Sequence, residues 1–156
     1  MKKPLFIAAI ASCIVFSCSK EMLKKHTATF FVNGQKIECD EHTVTASFNN
    51  GNYNELVIDM LAKDGSDHAI ILVLDLTKTV GQSVTLDSST QTFYSKNNTQ
   101  IRYKPIAGAW KITGRKNTDN TNKYTEGTFN FVGVNQTNTA DTVHITNGSF
   151  YVNKYN

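Results

Sequence analysis

Helical periodicity is the first thing missing from this sequence. After residue 27 no run of helix formers recurs at i, i+3 and i+4, which excludes a helical bundle. Charge is scarce too: Asp, Glu, Lys and Arg make 19% of 156 residues, below the usual quarter. The formal net charge is +3, and Lys2 and Lys3 supply two of those charges, so the chain from residue 18 carries +1. That excludes a nucleic-acid binder working by bulk charge. The longest uncharged apolar stretch, Leu5 to Ser17, is too short for a membrane span of about twenty residues. There are three cysteines and two prolines. What abounds is Thr (19) and Asn (16), and 40% of the residues are hydrophobic, enough for a core and against disorder.

Two lysines followed by a short apolar run predict a secretory leader over residues 1–17. The run closes Val15-Phe16-Ser17-Cys18, which resembles a bacterial lipobox. The resemblance implies cleavage before Cys18 and acylation of its thiol. Two or three acyl chains hold a membrane far more firmly than one, at about 0.8 kcal/mol per buried CH2. Ile10-Ala11-Ser12-Cys13 also fits, but its apolar stretch is shorter. Ser19 carries no negative charge, which by analogy with known sorting predicts the outer membrane. Residues 18–26 then form a tether, and residues 27–156 a single domain.

With Cys13 removed and Cys18 acylated, Cys39 has no partner for a disulfide. It shares a strand face with Ile37 and is expected to be a buried thiol; Glu38, Asp40 and Glu41 would disfavour a thiolate.

From Thr27 the period is two. Ala28, Phe30 and Val32 form one face, and Asn33-Gly34 is a strong hairpin signal because both positions accept positive φ. Val44, Ala46 and Phe48 alternate, as do Leu56, Ile58 and Met60 against Glu55 and Asp59. Ile70 to Leu74 is apolar on both faces and predicts a central strand. Ile106, Trp110 and Ile112 share one parity, and Gly114 to Lys123 reads as an exposed loop. Phe129 and Phe131 point inward. Phe150 and Val152 have the opposite numerical parity to Val143 and Ile145, so Asn147-Gly148 predicts a bulge. Eight to ten short strands predict an all-β domain. We expect a single antiparallel β-sandwich, with an up-and-down, calycin-like barrel as the alternative.

Gly127-Thr-Phe-Asn-Phe131 and Ile145-Thr-Asn-Gly-Ser-Phe150 resemble the C-terminal signature of small Bacteroidetes lipoproteins grouped as a domain of unknown function. The strand ending Phe31-Val-Asn-Gly34 behind a lipobox is similar to that family too. The resemblance implies an all-β envelope lipoprotein and transfers no catalytic residue.

His26, His42, His68 and His144 lack the spacing of a metal site, and no metal or other cofactor is expected. In Glu38-Cys39-Asp40-Glu41-His42, alternation sends Cys39 and Glu41 to one face and Asp40 and His42 to the other unless a tight turn intervenes, so a solvated acidic turn is expected rather than a metal site. Asp64-Gly-Ser-Asp67 lacks calcium-loop spacing. There is no Gly-x-Ser-x-Gly, phosphate loop or His-Glu-x-x-His. Glu55 and Asp59 read as a solvent face rather than a hydrolytic pair. Phe31, Tyr94, Tyr103, Tyr151 and Trp110 are candidates for a glycan-stacking platform, though strand positions favour the core. Asp141-Thr142-Val143 resembles the O-glycosylation acceptor of Bacteroidetes periplasmic proteins, making Thr142 a candidate for modification. The expectation is a non-enzymatic outer-membrane or surface lipoprotein that binds a glycan or an envelope protein. A structural or adhesion component is the alternative, and a hydrolase a third.

Overall fold

A computed structural model describes residues 24–96, 100–116 and 123–155. Its strands follow the alternation closely. β1 (Thr27–Val32) turns at Asn33-Gly34 into β2 (Gln35–Cys39). Both turn residues have positive φ, 49° and 87°, which Asn and Gly tolerate best. β3 (Val44–Asn49) turns at Asn50-Gly51, with φ of 47° and 79°, into β4 (Asn52–Leu61). β5 (Ala69–Asp75), the short β6 (Ser83–Thr85), β7 (Phe93–Lys96), β8 (Ile101–Lys116), β9 (Tyr124–Asn135) and β10 (Thr142–Asn153) complete the chain. Among the described residues there is no helix.

All pairings are antiparallel, in one sheet ordered β2-β1-β10-β9-β8-β7-β5-β4-β3, with β6 flanking β8. The pairings make β2 and β3 run in the same direction. They form one broken stave, paired first to β1 and then to β4, hinged at the Asp40–Thr43 turn. The sheet is therefore an up-and-down meander of eight staves, nearly closed into a barrel. The hinge leaves a seam, bridged by Lys63 N–H to the Glu38 carbonyl (2.9 Å) and by the His26 ring. His26 Nδ1 lies 3.1 Å from the Val44 carbonyl, and Nε2 lies 2.5 Å from that of Asn153. Of the two architectures expected, the barrel describes the strand order. The interior is packed with side chains.

The inward residues form one cluster that includes Phe30, Ile58, Leu72, Trp110, Phe129, Phe131, Phe150 and Val152. Ile70, Leu72 and Leu74 are buried, while Ile71 and Val73 are half-buried on the outer face. The Asn147-Gly148 bulge is present: register shifts between Ile145 and Gly148, and Asn147 has a φ of 49°. Ile106 departs from its expected inward parity and is 53% exposed. A second bulge, between Pro105 and Ala107, turns it outward and returns Trp110 and Ile112 to the core. β8 extends to Lys116, so the expected exposed loop begins inside a strand, and its residues 117–122 lie outside the described residues. At the N-terminus the solvated tether stops earlier than expected. Lys24 sits 4.1 Å over the Tyr151 ring and 3.3 Å from Glu126, and its carbonyl accepts from Asn153 Nδ2. Cys18 and the leader lie outside the described residues.

Strand direction sorts the loops onto two ends. The β1–β2, β4–β5, β7–β8 and β9–β10 connections gather at one, called the mouth. The described chain enters at Lys24 at the other, called the far end, where the β3–β4 connection, the start of the connection after β5, the end of β8, the start of β9 and the end of β10 also lie.

Candidate functional site at the barrel mouth

The mouth holds a cavity of about 300 Å3 lined by polar groups, among them Gln35, His68, Lys96, Asp141 and Thr142. Tyr94 and Tyr103 form its floor. They are register partners on β7 and β8, with ring centroids 5.4 Å apart. Each hydroxyl is tied to a group from another loop. The Tyr94 hydroxyl lies 2.6 Å from His68 Nδ1, and the His68 ring stacks on that of Tyr94. The Tyr103 hydroxyl donates to Asp141 Oδ2 at 2.7 Å. Asn135 Nδ2 donates to the same oxygen at 2.9 Å, and the Asn135 N–H donates to the Asp141 carbonyl.

Local sequence explains each placement. The Asp64 carboxylate accepts from the Ser66 N–H, an Asx turn that tightens the loop before β5 and sets His68 at its start. The His68 N–H and carbonyl are bonded to the Ser66 carbonyl and the Ala62 N–H. Asn135 Oδ1 accepts from the Thr137 N–H and hydroxyl, which shapes the β9–β10 turn beneath Asp141. Gly133 leaves room for Tyr103: a Cβ there would lie 3.0 Å from that of the tyrosine.

The electrostatics are mixed rather than of one sign. Burial lowers the His68 pKa, and Lys96 lowers it further, so the imidazole is neutral at pH 7. Hydrogen bonds from Asn135 and Tyr103 hold Asp141 below the usual carboxylate range, so it is ionised. Burial pushes the Tyr94 phenol upward, and burial with the Asp141 bond takes Tyr103 to about 12. The cavity thus presents an ammonium, a carboxylate, a neutral imidazole, an amide and a hydroxyl. Neither tyrosine offers its ring face: they are 1% and 7% exposed.

Other candidates from the sequence fall elsewhere. Thr142 is exposed on the rim, beside Asp141. Cys39 is buried, and burial with Asp40 and Asp64 pushes its thiol to about 12, so it is an inert core residue. His42 is exposed, with Nε2 3.5 Å from Glu41 Oε1. Glu55 accepts from Asn49 Nδ2 at 2.7 Å, and Asp59 is half-buried on the outer face. Trp110, Tyr94 and Tyr103 belong to the core, while Phe31 and Tyr151 are half-buried outside it. A groove of about 390 Å3 crosses the Gly108 and Asn147 bulges, with His144 its one ionisable side chain. The sequence reading did not assemble His68, Lys96, Asn135 and Asp141 as a site. Their common signal is position beside turns at one end of a meander, which requires the strand order. No protein-family model, curated protein or solved structure matches this chain.

Proposed function

We propose that this chain is an envelope lipoprotein whose barrel binds a small, hydroxyl-rich ligand, such as the end of a glycan, at the mouth. The carrying observation is the convergence onto one polar cavity of His68 and Asp141, from the connections before β5 and β10, and Lys96, from the end of β7. Ligand cavities are mostly apolar with a few polar groups. A polar one without a presented ring suits a ligand that remains hydrophilic throughout. A carboxylate and an ammonium on one rim match the paired acceptors and donors of neighbouring sugar hydroxyls. Binding fits better than turnover. Asp141 Oδ2 already accepts two hydrogen bonds and its pKa is depressed, which makes a weak general base or acid. The lipobox-like sequence at Cys18, and the resemblance of residues 127–131 and 145–150 to Bacteroidetes lipoproteins of unknown function, support the envelope setting.

The test is a glycan array probed with the chain from residue 18, beside Lys96→Ala and Asp141→Asn. The described core lies within residues 28–155, so that chain keeps it whole. Losing a hydrogen bond to a charged group costs about 1.5–3 kcal/mol, so each variant should bind about 10- to 100-fold more weakly. Retention of no glycan, or of one by both variants as tightly as by the wild type, contradicts the proposal. Hydrolysis of a retained glycan, abolished in Asp141→Asn, would replace binding with catalysis.

A further inference from the structure

A second surface lies at the opposite end of the barrel. Lys24, Lys25, Lys78, Arg115, Lys116, Lys123 and Lys154 all belong to connections or strand termini there. Among the described residues the acidic side chains of that end are Glu55, Asp75 and Glu126, with Lys24 paired to Glu126 and Lys78 to Asp75. The mouth is balanced among the described residues, with Lys36, Lys63, Lys96 and Arg102 against Glu38, Asp64, Asp67 and Asp141. Lys36 and Lys63 both pair with Glu38. A chain with almost no net charge from residue 18 is therefore polarised along the barrel. The basic end also carries apolar exposure. Tyr53, on the β3–β4 hairpin, is 76% exposed with its ring edge against Phe48, and Val80 is 49% exposed in the connection after β5. Lys116 and Lys154 are exposed as well.

We propose that the far end seats directly on the anionic headgroup surface of a bilayer. Three features favour a lipid surface over another occupant. The charge is complementary to anionic lipid. An exposed tyrosine beside lysines is the composition found at membrane interfaces. The chain before Lys24 enters at this same end, and Cys18, six residues earlier, lies no more than about 20 Å from it by covalent reach. Seated this way, the barrel stands with its mouth pointing away from the membrane, open to ligands from the aqueous side. The contact rests on the basic collar and Tyr53, and needs neither acylation nor a ligand in the mouth.

The experiment uses the chain from residue 18 carrying Cys18→Ser, so that no acyl chain contributes. It is sedimented with vesicles of phosphatidylethanolamine and phosphatidylglycerol, and with vesicles of phosphatidylcholine alone. Retention is expected on the anionic vesicles and not on the neutral ones, and it should fall steeply between 50 and 500 mM salt. Lys116→Ala and Lys154→Ala should each weaken retention about fivefold. The mouth pair Lys36→Ala and Lys63→Ala, which removes the same charge, should leave it unchanged. Tyr53→Ala should weaken it at constant salt dependence. Equal retention on both vesicle types, absence of retention on the anionic ones, or equal losses from the two lysine pairs would overturn the proposal. None of these outcomes bears on glycan binding, which the array reads separately.

Discussion

Asp59 sits half-buried on the outer face of β4, opposite Thr45 and Ile71, and burial raises its pKa despite the Thr45 bond. The folded state therefore disfavours its charge. The cost is present at neutral pH and is relieved as pH falls through the raised folded value. Asp59→Asn should raise the melting temperature at pH 7 and bring no gain well below pH 4, which melts across pH 3–8 will check. Asp141 has the opposite sign. Its depressed pKa gives stability that is present above the ordinary carboxylate value and lost as pH falls below it. Asp141→Asn should melt lower than wild type at pH 7, with the difference closing in acid. Gly127 is the residue-scale meaning of the Gly-Thr-Phe-Asn-Phe motif. A Cβ there would lie 2.3 Å from the Lys111 carbonyl oxygen and 2.7 Å from Phe150 Cζ. Gly127→Ala should cost about 1–3 kcal/mol, the usual range for an overpacked core, measurable by urea unfolding.

At the scale of elements, β10 carries the closure. It pairs with β9 on one side and β1 on the other, and it holds Val143, Ile145, Phe150 and Val152 in the core. Deleting residues 141–156 should abolish folding, seen as loss of the near-ultraviolet signal of buried Trp110. Phe131→Ala should cost about 3–5 kcal/mol, roughly 10–20 °C in melting temperature for a domain of this size. These elements were legible in the sequence because their signals are local. Asn33-Gly34 sets positive φ within two residues, and the parity break from Ile145 to Phe150 reports its own bulge. Ile106 was not legible: the bulge at Pro105 is a mismatch with β9, and nothing within β8 alternation records it. The mouth was hidden for the same reason. His68 meets Tyr94 across 26 residues and Tyr103 meets Asp141 across 38, contacts fixed by which strands are neighbours. In the sequence each tyrosine stands alone, and Asp141 stands out only as the companion of Thr142.

The whole molecule is a barrel with two unlike ends, one polar and balanced, the other basic and joined to the N-terminal segment. The proposed envelope placement rests on Cys18. Cys18→Ala should release the protein from membranes or stall its processing, and the peptide beginning at Cys18 should carry acyl mass in the wild type. A soluble protein with unmodified Cys18 would remove the anchor from this account. The mouth is the central claim, and isotope-labelled amide spectra test it most directly. With the glycan retained most tightly on the array as titrant, the account predicts shifts concentrated at Gln35, His68, Lys96, Tyr103, Asp141 and Thr142. Shifts centred instead on Tyr53, Lys116 and Lys154, or on the outer strand face around Asp59, would contradict it.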